Sequence, residues 1–287
     1  MVENKSTYII VLNYNAYLDT IDCFESILNL SSKYYKIVLI DNASIDLSLD
    51  NISKWITDNS YNKIKILKSN NNGGYSTGNN LGIQYALKKD DCKYIWILNN
   101  DTVLKPDTLE ELLNSDKKKN MNTIWGSKIL YPNGRIQSLG CRINNKFMLT
   151  YHNYNNSIDK KTDFKINRID YIHGCSMFFN KTIVKKIGYL PEEYFMFFED
   201  VDFCRKALNE DIQLDVSQKS IVIHKEGVAV KKNKLEYLSI INRIKYARKY
   251  FPNHIYYVYL GVCYKIFKSM CLLKFSLAKK IIFNLSK

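Results

Sequence analysis

Four short runs of apolar residues, Tyr8–Leu12 (YIIVL), Lys36–Ile40 (KIVLI), Ile64–Leu67 (IKIL) and Tyr94–Leu98 (YIWIL), constrain this chain more than any other feature. They alternate with stretches of helical spacing at Tyr17–Leu30, Leu47–Asp58 and Asn79–Lys88. A strand with one wet face alternates apolar and polar residues, whereas a continuous apolar run suits a strand covered on both faces. The pattern predicts an α/β layered fold, a mostly parallel sheet with helices on both sides. At 287 residues the chain is long enough to bury such a core.

Polar residues close three of the strands: Asn13-Tyr14-Asn15, Asp41-Asn42-Ala43-Ser44 and Asn99-Asn100-Asp101. Each could be an ordinary Asx turn. Ligands of open α/β sheets bind beyond the carboxyl ends of the strands, so the three together predict one crevice. Asp101, a carboxylate flanked by amides, can hold a divalent cation (Mg2+ or Mn2+) that takes its other ligands from a diphosphate. His224, ending the strand Ser220–His224, could add a nitrogen ligand or serve as a structural histidine. His152 and His254 read as structural or exposed.

The second half is less regular. Trp125–Gly140 reads as strands around the turn Pro132-Asn133-Gly134, and Asn153–Asp163 as an exposed polar loop. Ile169–Asn180 is strand-like with an interruption at Gly174, which implies a bend or a close backbone approach. The aromatic run Tyr194–Phe198 then delivers Glu199-Asp200-Val201-Asp202 into a helix over Val201–Asn209. Carboxylates in apolar surroundings become usable bases, although the same acids could open a surface helix. The glycine-bearing stretch Asn70–Gly82 precedes a helix and could cradle a phosphate. Asn79 and Asn80 replace the Lys and Ser/Thr of a P-loop, and Tyr75 breaks a Rossmann fingerprint.

Seven scattered cysteines without a C-x-x-C pair argue against zinc and disulfides and for reducing cytosol, and no secretion signal is apparent. The net charge of +14 is concentrated: residues 231–287 carry thirteen Lys/Arg against Glu236 alone, contributing +12. Ile255–Leu273 is aromatic and apolar but broken by Lys265 and Lys268, and the uninterrupted stretch is too short to span a bilayer. It predicts either an amphipathic segment on an anionic membrane surface or a helix packed on the body. No nucleic-acid module accompanies it.

The ordered series VLNYN (Val11–Asn15), LIDNAS (Leu39–Ser44), NNGGYSTGNNLG (Asn71–Gly82), LNNDT (Leu98–Thr102), HGCSMFF (His173–Phe179) and FMFFEDVDFCRKA (Phe195–Ala207), with His224 before Gly227, resembles glycosyltransferase family 2, in particular its rhamnosyltransferase-like branch. That resemblance implies a GT-A fold and an inverting transfer from a nucleotide-sugar donor, dTDP-rhamnose or a UDP-hexose. A lipid-linked glycan would be the acceptor, at the cytoplasmic membrane face. It implies that Asn13, Tyr14 and Asp41 line the nucleoside, that Gly78 and Asn79 close over the nucleotide with Asn100 beside them, and that Asp101 holds the metal. Asp200 matches the catalytic base with Glu199 positioning it. Gly174 and Asp202 are candidates for the sugar site, Asp202 alternatively capping the helix, and Arg205 is expected to pair with an acid. Residues 1–230 would form the catalytic domain, with a nucleotide-sugar half to about 102 and an acceptor half after it, followed by the basic segment 231–287. A sugar-phosphate nucleotidyltransferase is the alternative enzyme, but it needs a Gly- and Arg/Lys-bearing loop where Asn13-Tyr14-Asn15 stand. A non-catalytic binding protein is the remaining alternative, opposed by the intact Asp101 and Asp200.

Overall fold

The computed structural model describes residues 6–118, 122–160, 162–226, 232–271 and 279–283. The four apolar runs form β1 (Ser6–Asn13), β2 (Tyr35–Asp41), β3 (Ile64–Lys68) and β4 (Cys92–Asn99). They pair in parallel in the order β3-β2-β1-β4. The continuous hydrophobicity has the expected cause. Tyr8, Ile10, Val38, Ile40, Ile95 and Ile97 enter one core cluster, while the alternate residues Ile9, Val11, Ile37, Leu39, Trp96 and Leu98 enter another. Helices α1 (Tyr17–Leu28), α2 (Ser48–Asp58) and α4 (Thr108–Lys118) bury Phe24, Ile52 and Leu109 in the second cluster. Helix α3 (Gly74–Leu87) buries Ile83 and Ala86 in the first.

The sheet continues through β10 (Ser176–Asn180), β6 (Thr123–Leu130), β11 (Gln213–His224) and β5 (Thr102–Leu104), with the short β7 (Ile136–Ser138) pairing to β6. Strand β10 is antiparallel to both neighbours, whereas β6 and β11 again run parallel to each other. The result is the mixed, mostly parallel sheet of a GT-A fold. A hairpin of β8 (Cys141–Asn144) and β9 (Leu149–His152) stands apart from it. Helices α5 (Lys181–Ile187) and α6 (Glu199–Asn209) complete the body.

The basic segment begins with α7 (Lys232–Tyr250), followed by a 3-10 turn and α8 (Ile255–Cys271). Ile240, Ile244, Tyr246 and Ala247 of α7 and Val258 and Val262 of α8 join the first core cluster, so these helices share the core of the body. Among the described residues no helix is long and apolar enough to cross a membrane. All seven cysteines are free thiols.

One boundary differs from the expectation. Only Asn70–Gly73 of the glycine-bearing stretch precede α3, and Gly74–Gly82 form its first turns. A Cβ on Gly78 would stand 2.3 Å from Leu12 Cδ1, and one on Gly82 would stand 2.5 Å from Ile10 Cγ2. These glycines let the helix lie close against β1, which is why a low-propensity sequence is helical there.

Candidate active site

The strand ends meet as anticipated, joined by side chains. Asn100 Nδ2 donates to Thr20 Oγ1 (2.9 Å), and Thr20 donates to Asn13 Oδ1 (2.9 Å). Asn13 Nδ2 in turn donates to Asp41 Oδ1 (3.0 Å) and Ser44 Oγ (3.1 Å). One hydrogen-bonded chain therefore links β4, α1, β1 and β2. Ser44 closes the turn after β2 by donating its N–H to Asp41 Oδ2 (3.1 Å) and its hydroxyl to Asp41 Oδ1 (2.6 Å). Asp41 uses three acceptor positions internally, leaving a carboxylate about one position for a ligand.

Three expectations at this end need correction. Asn13 is fully buried and both ends of its amide are engaged, so it frames the crevice without facing it. Gly78 packs on Leu12 rather than over a ligand. Asn79 is buried with its Nδ2 on the Tyr75 carbonyl (2.9 Å). The start of α3 is not an open anion cradle either, because Gly74 N–H donates to Asn72 Oδ1 and Tyr75 N–H to the Phe195 carbonyl. Tyr14 remains half-buried at the rim.

Asp101 and His224 lie at neighbouring strand ends, Asp101 Oδ1 3.2 Å from His224 Nε2. The Lys225 N–H donates to the Asp101 carbonyl (2.9 Å) and fixes this approach. Gln137 offers its Oε1 to His224 Nδ1 at 2.8 Å while its own amide N–H donates to Glu226 Oε1 (2.8 Å). That orientation makes Nδ1 the protonated nitrogen, leaving the Nε2 lone pair of a neutral ring towards a carboxylate oxygen. Such a contact is repulsive unless a proton or a cation lies between the two atoms. One oxygen and one nitrogen donor thus fit a divalent cation completed by diphosphate and water. No group of three His, Cys, Asp or Glu suited to a metal occurs among the described residues. His173 lies between His152 and His224, ring centroids 4.9 and 5.8 Å away, and burial holds its pKa well below the ordinary value.

The carboxylate cluster is both a helix start and a buried acid site. Phe197 and Phe198 have φ of 73° and 76°, and Glu199, Asp200 and Asp202 then form the first turn of α6. Two consecutive left-handed phenylalanines are costly, of order 1–3 kcal/mol each, and persist only when surroundings impose them. Asn242 of α7 does so, its Nδ2 donating to the carbonyls of Met196 and Phe197, both at 2.9 Å. Tyr75 N–H holds the Phe195 carbonyl at 2.9 Å, where the φ of +88° at Gly74 lets the two backbones touch. A Cβ on Gly74 would stand 2.1 Å from that carbonyl oxygen.

The turn sorts its acids. Asp202 is fully buried, its Oδ2 accepting from Tyr194 (3.0 Å) and Lys249 Nζ (2.8 Å) and its Oδ1 from Tyr250 (2.9 Å). That corrects its candidacy for the sugar site: it anchors α7 to α6. Arg205 lies over the Phe251 ring, 4.7 Å from its centroid, where pairing with an acid was expected. Glu199 is buried, its Oε2 lacks a hydrogen-bond partner among the described residues, and burial together with the Asp200 charge drives its pKa well above the ordinary range. Asp200 alone is only half-buried. Burial raises its pKa to about 6, against the backbone N–H groups of Gly174 (3.0 Å to Oδ2) and Val201 (2.8 Å to Oδ1), which favour the charged form. Gly174 thus helps to fix Asp200. Its carbonyl accepts the Tyr75 hydroxyl at 2.5 Å, and a Cβ there would crowd both Tyr75 and Asp200. The interruption at Gly174 was legible in the sequence, whereas Asn242, Lys249, Tyr250 and Gln137 carried no local signal.

Comparison with known proteins gives the family and the fold. The sequence model of glycosyl transferase family 2 matches residues 8–188. The chain is 26% identical over 220 residues to the low-salt glycan biosynthesis hexosyltransferase Agl10 of Haloferax volcanii, covering 77% of this chain and 67% of that protein. Among solved structures, S. aureus TarS 1-349 in complex with UDP-GlcNAc superposes with a TM-score of 0.57 at 19% identity, covering 83% of this chain and 65% of that one. The mannosyltransferase PcManGT of Pyrobaculum calidifontis, in complex with GDP-Man and Mn2+, gives 0.60 at 10% identity, with 85% and 64% covered.

Proposed function

The chain belongs to glycosyl transferase family 2, and from that premise we propose that it is an inverting glycosyltransferase acting on a nucleoside-diphosphate sugar, with Asp200 as the base. The single observation that carries this reading is the state of Asp200. It is the one acid of the turn with an open side, its carboxylate is fixed through two backbone N–H groups, and its pKa is raised to about 6. A base near this value is ionised at neutral pH and still basic enough to accept a proton.

Asp200 takes the proton from an acceptor hydroxyl as that oxygen bonds to the anomeric carbon. The bond from that carbon to the diphosphate breaks on the opposite face, inverting the centre, and the nucleoside diphosphate leaves with the electron pair. Glu199 stays neutral beside Asp200, since two adjacent buried charges repel, so the negative charge resides on the base. A divalent cation, Mg2+ or Mn2+, held by Asp101 and His224, would neutralise the departing diphosphate. Tyr14, Asp41 and Asn100 lie at the strand ends where the nucleoside would bind.

The proposed donor is dTDP-rhamnose or a UDP-hexose, and the acceptor a lipid-linked glycan in cell-surface polysaccharide synthesis. The cytoplasmic membrane face fits that acceptor and the basic segment of residues 231–287. A thermal-shift panel of nucleotide sugars with and without Mn2+ tests the donor class, because selective binding raises the apparent melting temperature. One nucleotide sugar should stabilise the protein in a metal-dependent way. Stabilisation by none of them would contradict the proposal.

A further inference from the structure

A groove of about 570 Å3 opens where α7, α8 and the β8–β9 hairpin meet, and no residue of the acid turn lines it. Its walls are apolar, formed by Phe147, Leu149, Ile240, Leu260 and Tyr264. Arg243 also lines it, with only 9% of its surface exposed and its Nε without a hydrogen-bond partner among the described residues. The other charged lining residues, Glu236 and Lys265, pair with each other. Among the described residues, Arg243 is therefore the charged lining residue without an ion-pair partner. A buried guanidinium without an anion is costly, and its planar fork matches phosphate.

The groove also continues into a wet apolar surface. Tyr256, Leu260, Tyr264 and Phe267 recur along one side of α8 with 66, 47, 66 and 66% of their surface exposed, and Leu260 and Tyr264 belong to both features. A helix that presents such a stripe lies favourably at the boundary between headgroups and acyl chains. We infer that the groove holds one bilayer phospholipid, its headgroup phosphate on the Arg243 guanidinium and its chain along Leu149, Leu260 and Tyr264. This deepens the membrane-surface part of the proposed function and rests on it.

The test titrates dihexanoyl phosphatidylglycerol, below its micelle concentration, into the full chain by calorimetry. Saturable binding of one lipid per chain is expected. Arg243→Met should weaken it at least about tenfold, the value of a charge-assisted contact to phosphate. Gly261→Leu should do the same by filling the groove, since a Cβ there would lie 3.8 Å from both Arg243 Nη2 and the Phe147 ring. Arg243→Met removes an unpaired buried charge and should melt no lower than the wild type, a control that separates lost binding from lost folding. Unchanged affinity in both variants overturns the site. So does equal affinity for dihexanoylglycerol, which lacks the phosphate, or for inorganic phosphate, which lacks the chain. Phosphatidylglycerol vesicles then separate the two claims. Recruitment of wild type and Arg243→Met alike would keep the membrane reading and sink the groove. Binding of the short-chain lipid without vesicle recruitment would keep the phosphate-lipid site and sink the membrane reading.

Discussion

Asp200 and Glu199 are adjacent carboxylates given different states by what surrounds them. Asp200 keeps an open side and two backbone donors, whereas Glu199 is buried with one oxygen unsatisfied among the described residues. If Asp200 acts as a base, kcat/KM falls about tenfold per pH unit below its pKa of about 6 and levels off above it. A profile without an acidic limb would contradict that role. The same shift bears on stability. The folded pKa lies above the ordinary value of 3.8, so the folded state keeps this proton longer than the unfolded chain does. The group's stabilising share is complete below pH 3.8 and is lost as pH climbs through about 6. Asp200→Asn should therefore raise the melting temperature at pH 8 and leave it little changed at pH 4, as scanning calorimetry would register. Because burial and the Asp200 charge favour the protonated form of Glu199, Glu199→Gln should retain far more activity than Glu199→Ala, which leaves a cavity beside Asp200.

Among the elements, α7 and α3 decide whether the acid turn exists. Asn242 of α7 binds two carbonyls of a turn whose φ angles phenylalanine disfavours, and Gly74 of α3 permits the contact with Phe195. Asn242→Leu should cost about 1–3 kcal/mol in urea melts and lower kcat more than donor affinity, since it unseats the base and not the nucleotide end. An equal loss of both would point to general unfolding. Gly74→Ala should be at least as damaging, because its backbone strain and its 2.1 Å clash act together. The strands β1 to β4 were legible because each is apolar on both faces, and the strand-end clusters because amides and carboxylates interrupt those runs. The start of α3 was not legible, because its glycines read as a loop until the close approach of Leu12 and Ile10 is seen. Nor was α7, whose lysines suggested an appendage although Asn242, Lys249 and Tyr250 hold the acid turn. Those contacts span more than forty residues of sequence, beyond the reach of any local pattern.

At the scale of the molecule, the basic helices and the family 2 body share a core cluster. A chain ending at residue 230 would lose Ile240, Ile244, Tyr246 and Ala247 from that core and strip the buried Asp202 of Lys249 and Tyr250. Asp202 would keep only the Tyr194 hydroxyl and the longer contact to Lys206 Nζ (4.0 Å), and the lost core and lost close partners together take a large share of a domain's stability. The truncated chain should therefore fail to give a cooperative melt, whereas an independent tail would leave the melt intact. The acid turn leaves one of its carboxylates, Asp200, half-open beyond the sheet, and the account stands or falls on its role. The direct measurement is single-turnover transfer by Asp200→Asn with donor binding followed in the same samples. Donor affinity close to wild type with transfer reduced at least about a thousandfold is the expected result, combining a lost base with intact binding. Transfer at the wild-type rate with donor bound would contradict it.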